Sequence, residues 1–104
     1  MSLIYINAVV NTDNWYKLTL LADGVAINHT LITSAHLRSK TGTLVAASLI
    51  TPTIWDFTNA GYLLIQLGKS DIPVGIHTYV LVVQDSSHPL GTPWETLLYI
   101  TMHP

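Results

Sequence analysis

The clearest hydrophobic pattern in the chain is the alternating run IHTYVLVVQD at residues 76–85. A period of two is typical of a β-strand, whose successive side chains point to opposite faces of a sheet. The apolar residues are Ile76, Val80 and Val82 on one face and Tyr79, Leu81 and Val83 on the other. Both faces are therefore largely apolar, although the core of so short a chain can cover only one. The pattern predicts a central strand with a second covered face, or a strand whose alternation is shifted by a bulge.

Short runs of strand-forming residues recur along the whole chain, and turn-forming residues separate them. We predict strands at residues 3–10, 15–22, 30–38, 43–50, 62–67, 76–85 and 94–102, with a further short strand near 54–57. Turns are predicted at Asp23-Gly24, at residues 39–42, and across residues 68–75, which include Pro73. No segment has convincing helical periodicity.

This succession of strands predicts an all-β fold in a single domain, residues 1–104. The best match is an immunoglobulin-like (Ig-like) antiparallel β-sandwich of about seven to eight strands. A jelly roll or a small barrel is the alternative. The chain contains no cysteine, so the Cys–Trp–Cys signature of antibody domains is absent.

The charge content limits the kinds of partner. Charged residues make up 10% of the chain, against about 25% in an average soluble domain. A net charge of −2 gives no electrostatic reason to expect nucleic acid or an anionic membrane as a partner. No apolar run approaches the length of a membrane helix, and the N-terminus reads as a first strand rather than a signal peptide. A weakly charged, partly apolar surface favours contact with another protein.

The residues that carry chemistry are sparse. The five histidines lack the spacings of metal sites, although His36 and His77 lie in predicted strands where a residue such as Asp85 could complete a site. All carboxylates except Glu95 lie in predicted turns or loops, where aspartate commonly accepts local backbone N–H groups. We therefore predict no catalytic residue, no metal ligand and no cofactor, and a small hydrolase is the least favoured function.

Aromatic residues beside polar groups leave a carbohydrate-binding module open as an alternative function. Trp15, Trp55 and Phe57 are the candidate ligand-binding aromatics, because exposed rings flanked by Asp or Asn can stack on a sugar and hydrogen-bond it. The competing interpretation is that these rings cap the ends of the hydrophobic core, since aromatic side chains bury large areas.

One longer pattern joins two halves of the chain. The first half is DGVAINHTLITSAHLRSKTGTLVAASL, with its Leu37-Arg38 pair. The second half consists of Ile72, Pro73, Gly75, His77, Tyr79, Leu81, Val83 and Asp85. Over residues 15–102 this arrangement resembles the small Ig-like domains of tailed-phage virion proteins, such as the N-terminal domain of siphophage baseplate upper proteins. Many of those have a glycine in the final strand, where this chain has Leu98-Tyr99-Ile100.

The resemblance implies a non-enzymatic virion structural protein, made in the host cytoplasm. The baseplate proteins continue into further domains, and this chain ends after its last strand, so we expect a capsid cement or decoration protein, or a small tail, neck or baseplate component. The expected partners are other virion proteins and further copies of this chain. Apolar strand faces would form the contacts, and the candidate contact residues are Ile76, Thr78, Val80, Val82, Trp94, Leu98 and Ile100.

Overall fold

The computed structural model describes residues 3–22 and 24–104 and gives an all-β protein. The strands are β1 Leu3–Val9, β2 Tyr16–Leu18, β3 Leu21–Ala22, β4 Val25–Ala26, β5 Ser34–Arg38, β6 Leu44–Val45, β7 Trp55–Asp56, β8 Leu63–Ile65, β9 Gly75–Gln84 and β10 Thr92–His103. Three single 3₁₀ turns lie at His29–Leu31, Pro52–Ile54 and Leu67–Lys69. The all-β prediction is confirmed. Asp23 of the predicted Asp23-Gly24 turn lies outside the described residues.

The strands form a five-stranded sheet in the order β1-β10-β9-β5-β6, a three-stranded sheet in the order β2-β8-β7, and the β3–β4 hairpin. β1 pairs with β10 in parallel, with Ile6 opposite Ile100. The prediction of an entirely antiparallel arrangement is therefore wrong at this pair. Parallel neighbours need a long connection, and here the connection is the rest of the chain between the first and last strands.

Both sheets contribute side chains to one buried apolar cluster. The long strands supply Tyr79, Leu81 and Val83 from β9 and Leu98, Ile100 and Met102 from β10, and the smaller sheet supplies Leu63, Ile65 and Trp55. The core thus takes one face of each long strand, as expected for a sheet that packs on one side.

The predicted strands 30–38 and 62–67 shorten to β5 and β8, and the predicted strands 43–50 and 15–22 are interrupted because side chains take over backbone hydrogen bonds. The carboxylate of Asp71 accepts the N–H of Ala46 at 2.7 Å, and Ala46 has a φ of +53°. The predicted strand 43–50 therefore ends at Val45, and Leu49 and Ile50 become exposed. In the predicted strand 15–22, the buried ring of His29 accepts the Leu20 N–H at 2.9 Å and separates β2 from β3.

A bulge lies in β10 rather than in β9. Pro93 is in register with Val82, and Leu97 with Val80, so residues 94–96 lie opposite the single residue Leu81. Two extra residues leave the alternation of β10 in phase, and after the bulge Leu98, Ile100 and Met102 face the core.

Candidate functional site

The two faces of β9 have different surroundings. Tyr79, Leu81 and Val83 are buried in the core. Ile76 is 63% exposed, and Thr78 and Val80 on the same face are half-buried. The face that carries Ile76 is therefore the outward one, which alternation alone could not decide.

We call the side of the five-stranded sheet that points away from the core the outer face. The half-buried or exposed apolar and aromatic side chains described on it are Tyr5, Val9, Leu44, Ile76, Val80, Leu97 and Tyr99. The rings of Tyr5 and Tyr99 meet at 5.3 Å between centroids, and Tyr99 is in register with Thr78 on β9. Neighbouring strands thus contribute to one continuous surface of mixed aromatic, aliphatic and threonine side chains.

Among the described side chains of the outer face, Arg38 on β5 is the charged one. Arg38 is exposed there, opposite Val80, while Lys69 pairs with Asp13 elsewhere at 2.7 Å. His36 lies two residues before Arg38 and is half-buried. Burial, and then the nearby Arg38 charge, lower the pKa of His36 below its usual value. The rest of the face, so far as its side chains are described, is uncharged.

Three of the predicted contact residues are not available for contact. Leu98 and Ile100 are 2% and 0% exposed and belong to the core, because the even-numbered positions of β10 point inward. Val82 does lie on the outer face, yet it is also buried. An added Cβ at Gly91 would be 2.6 Å from Cγ1 of Val82, so the chain's own backbone covers this valine.

Trp94 is half-buried and packs against the core rather than lying open on the outer face. After the bulge, the outward residues of β10 are Leu97, Tyr99, Thr101 and His103. The sequence pattern did not identify Leu97, Tyr99, Tyr5 or Leu44 as candidate contacts. In LLYITM both sets of alternate residues include apolar ones, so only the register with β9 distinguishes them.

The three candidate ligand-binding aromatics do not form one site. Trp55 is buried, and its Nε1–H donates to the carbonyl of Ala46 at 2.6 Å. Phe57 packs on it, with ring centroids 5.6 Å apart, and both line a shallow cleft of about 370 Å³ that Trp15 does not line. The hydroxyl of Ser48 in this cleft already accepts the N–H of Ala35.

The titratable residues serve local structure. His36 and His77 lie on opposite faces of the sheet, since His36 pairs with Val82 and His77 with Ile100. Asp85 accepts instead from Nδ1 of His88, at 3.0 Å. Asp56 accepts from the backbone and hydroxyl of Thr58, and these hydrogen bonds lower its pKa. Among the side chains that the structure describes, no group of three His, Cys, Asp or Glu residues is placed to hold a metal ion.

Comparisons with known proteins add no relative: no family model, no curated protein and no solved structure matches the chain. Among the described residues, no helix is long and apolar enough to cross a membrane.

Proposed function

We propose that this protein is a non-enzymatic structural subunit of a tailed-phage virion that assembles by burying its outer face against neighbouring subunits. Within the virion it would serve as a capsid cement or decoration protein, or as a small tail, neck or baseplate component. The observation that carries the assembly role is the uncovered apolar and aromatic surface around Tyr5, Ile76 and Tyr99.

The fold we propose is an Ig-like β-sandwich. In variable-type Ig domains, strands G, F, C and C′ follow one another in one sheet, and B, E and D belong to the other. The order β10-β9-β5-β6 corresponds to the first set, and β2-β8-β7 to the second. β1 adds a strand beside β10, which supports the same architecture with an extended first sheet.

The phage assignment rests on the resemblance of the two sequence halves. The residues of the second half have clear structural roles. Ile72 is buried, the carbonyl of Pro73 contacts Nε2 of His77 at 2.8 Å, and Gly75 begins β9 with a φ of +131°. These residues therefore form the connection that precedes β9, the middle strand of the five-stranded sheet. On β9, the side chains of Ile76, Thr78 and Val80 point outward.

The physical basis of assembly would be removal of apolar surface from water. This contributes about 25 cal/mol per Å², and a standard interface covers about 800 Å² per partner. Charged groups are costly to desolvate unless they are paired. Arg38 is the one charged side chain described on the outer face, so little charge would be desolvated by such a contact. Tyr5 and Tyr99 are of the residue type enriched in interfaces.

The test is sedimentation of the purified protein over a concentration series, with Ile76→Asp as the disrupting variant. We expect the wild type to self-associate and Ile76→Asp to weaken association at least about tenfold, equivalent to about 1.4 kcal/mol. The matched control is Val25→Asp, because Val25 is 70% exposed, close to the 63% of Ile76, and lies on the β3–β4 hairpin.

Virion membership is tested separately, by searching purified phage particles for the protein with mass spectrometry. A protein that stays a monodisperse monomer at high concentration and is absent from virions would overturn the proposal. Equal effects of the two aspartate variants would remove the outer face as the contact.

A further inference from the structure

A second cleft, unrelated to the outer face, opens between residues 27–32 and residues 83–94. Its volume is about 260 Å³. Ile27, Leu31 and Val83 provide apolar lining, Trp94 adds an aromatic ring, and Asn28, Asp85 and His88 provide polar groups. The cleft therefore combines one aromatic ring and an aliphatic surface with several hydrogen-bonding side chains.

The polar groups of this cleft are held in place by short-range hydrogen bonds that leave other atoms unused. Oδ1 of Asp85 accepts the N–H groups of Ser87 and His88, at 2.9 and 2.8 Å, and contacts Nδ1 of His88 at 3.0 Å. With Nδ1 donating to the carboxylate, Nε2 of neutral His88 is an acceptor. Oδ1 of Asn28 accepts from Thr30, which leaves its NH₂ group as a donor.

Trp94 differs from Trp55 in a way that points to a ligand. The indole N–H of Trp55 has its acceptor, the carbonyl of Ala46. The indole N–H of Trp94 is buried and has no acceptor among the described residues. Native proteins rarely leave a buried donor unpaired. Trp94 thus lines the cleft with an indole ring whose N–H lacks the acceptor that Trp55 has.

We propose that the cleft binds a neutral saccharide, with one sugar ring packed against Trp94 and its hydroxyls hydrogen-bonded to Asp85 and His88. A hydroxyl both donates and accepts, so it suits the acceptors Asp85 Oδ2 and His88 Nε2 as well as the NH₂ donor of Asn28. The C–H groups of a sugar ring suit the aliphatic lining.

Charge and shape narrow the choice of ligand. The carboxylate of Asp85 lines the cleft and no Lys or Arg does, so an anionic ligand would be repelled. A quaternary ammonium group is best held by a cage of several aromatic faces, and this cleft has one. A neutral ligand rich in hydroxyls remains the best fit.

The test is an NMR titration of the ¹⁵N-labelled full chain with a panel of neutral sugars: glucose, galactose, mannose, rhamnose and N-acetylglucosamine. We expect at least one sugar to shift the indole N–H resonance of Trp94 while those of Trp15 and Trp55 stay unchanged. Glucuronate and tetramethylammonium serve as the anionic and cationic probes, and neither should shift the Trp94 resonance.

Asp85→Asn is the informative variant, because the asparagine oxygen can still accept the Ser87 and His88 N–H groups and preserve the turn. It should weaken binding of the responding sugar at least about tenfold, as expected when a charged acceptor is lost. The control is Asp56→Asn, at another loop aspartate that accepts neighbouring donors, and it should leave binding unchanged.

Three results would overturn the inference: no response of Trp94 to any sugar, a response to tetramethylammonium alone, or equal effects of the two asparagine variants. The titration is repeated on Ile76→Asp, which is expected to assemble poorly. Because none of the residues that line the cleft belongs to the outer face, sugar binding by this variant tests the cleft independently of assembly.

Discussion

The inner and outer faces of the five-stranded sheet are built from adjacent residues of the same strands. On β9, buried Leu81 lies between outward Val80 and Val82, and on β10 buried Leu98 lies between Leu97 and Tyr99. The inner face is covered by the smaller sheet, whereas Tyr5 and Ile76 on the outer face are 69% and 63% exposed. Apolar side chains therefore stabilise the fold on the inner face, whereas similar side chains on the outer face are free to contact another molecule.

The largest expected effect is a difference in stability loss between alanine variants of two neighbouring residues, one on each face of β9. Leu81→Ala should lower the free energy of unfolding by about 3 kcal/mol, because it leaves a cavity in the core. Val80→Ala should cost about 1 kcal/mol or less in the monomer, because Val80 is already half exposed to water. Urea denaturation of dilute protein measures both, and similar losses for the two variants would contradict the assignment of the faces.

The next prediction concerns Gly91, whose backbone covers Val82. Gly91 has a φ of +98°, and an added Cβ would be 2.6 Å from Cγ1 of Val82. We expect Gly91→Ala to destabilise the fold by about 2 kcal/mol, from backbone strain and the clash together.

The control is Gly24→Ala. Gly24 has a φ of +78°, and an added Cβ would meet no described atom within 4 Å. It should lose only about 1 kcal/mol from backbone strain. If the two alanine variants are equally stable in thermal or urea unfolding, the contact between Gly91 and Val82 does not cover the valine.

The smallest effect is a pH dependence at His36, on the outer face. Because the pKa of His36 is lowered in the folded protein, the unfolded chain binds more protons over the interval between the folded pKa and the usual value of about 6.5. The contribution of His36 to stability is therefore full above pH about 6.5 and is lost as the pH falls through its folded pKa.

The measurement is the difference in unfolding free energy between the wild type and His36→Gln across this interval. We expect the wild type to lose stability relative to the variant as the pH falls, since glutamine does not titrate. A constant difference would show that His36 is not desolvated on this face.

Much of the fold could be predicted from the sequence. The strands at 76–85 and 94–102 are confirmed as β9 and β10, and the short strand near 54–57 is confirmed as β7, because alternation and turn residues are local signals. The strand 43–50 was overpredicted, because Asp71, distant in sequence, takes the N–H of Ala46. The parallel pairing of β1 also depends on contacts between the two ends of the chain.

The candidate surfaces could be predicted only in part. The sequence pattern left open whether the second face of β9 meets another chain or a bulge returns its residues to the core, and Ile76 and Val80 point outward. It could not exclude Leu98 and Ile100, because both alternate sets in β10 contain apolar residues and the register with β9 decides which set is buried. It named Trp94 among the protein contacts, and the missing partner of its indole N–H is visible only in three dimensions.

Thiol labelling at a single introduced cysteine tests the central claim most directly, because the natural chain has none. Thr78→Cys places a thiol on the outer face, and Val25→Cys places one on the β3–β4 hairpin. The rate at which each thiol reacts with a maleimide is measured in dilute protein, in concentrated protein and after addition to virions. For Thr78→Cys we predict a rate at least about tenfold lower in the last two conditions than in dilute protein, as expected for a thiol withdrawn from solvent. The Val25→Cys variant should react at an unchanged rate. Equal, unslowed labelling of both variants under every condition would contradict the account.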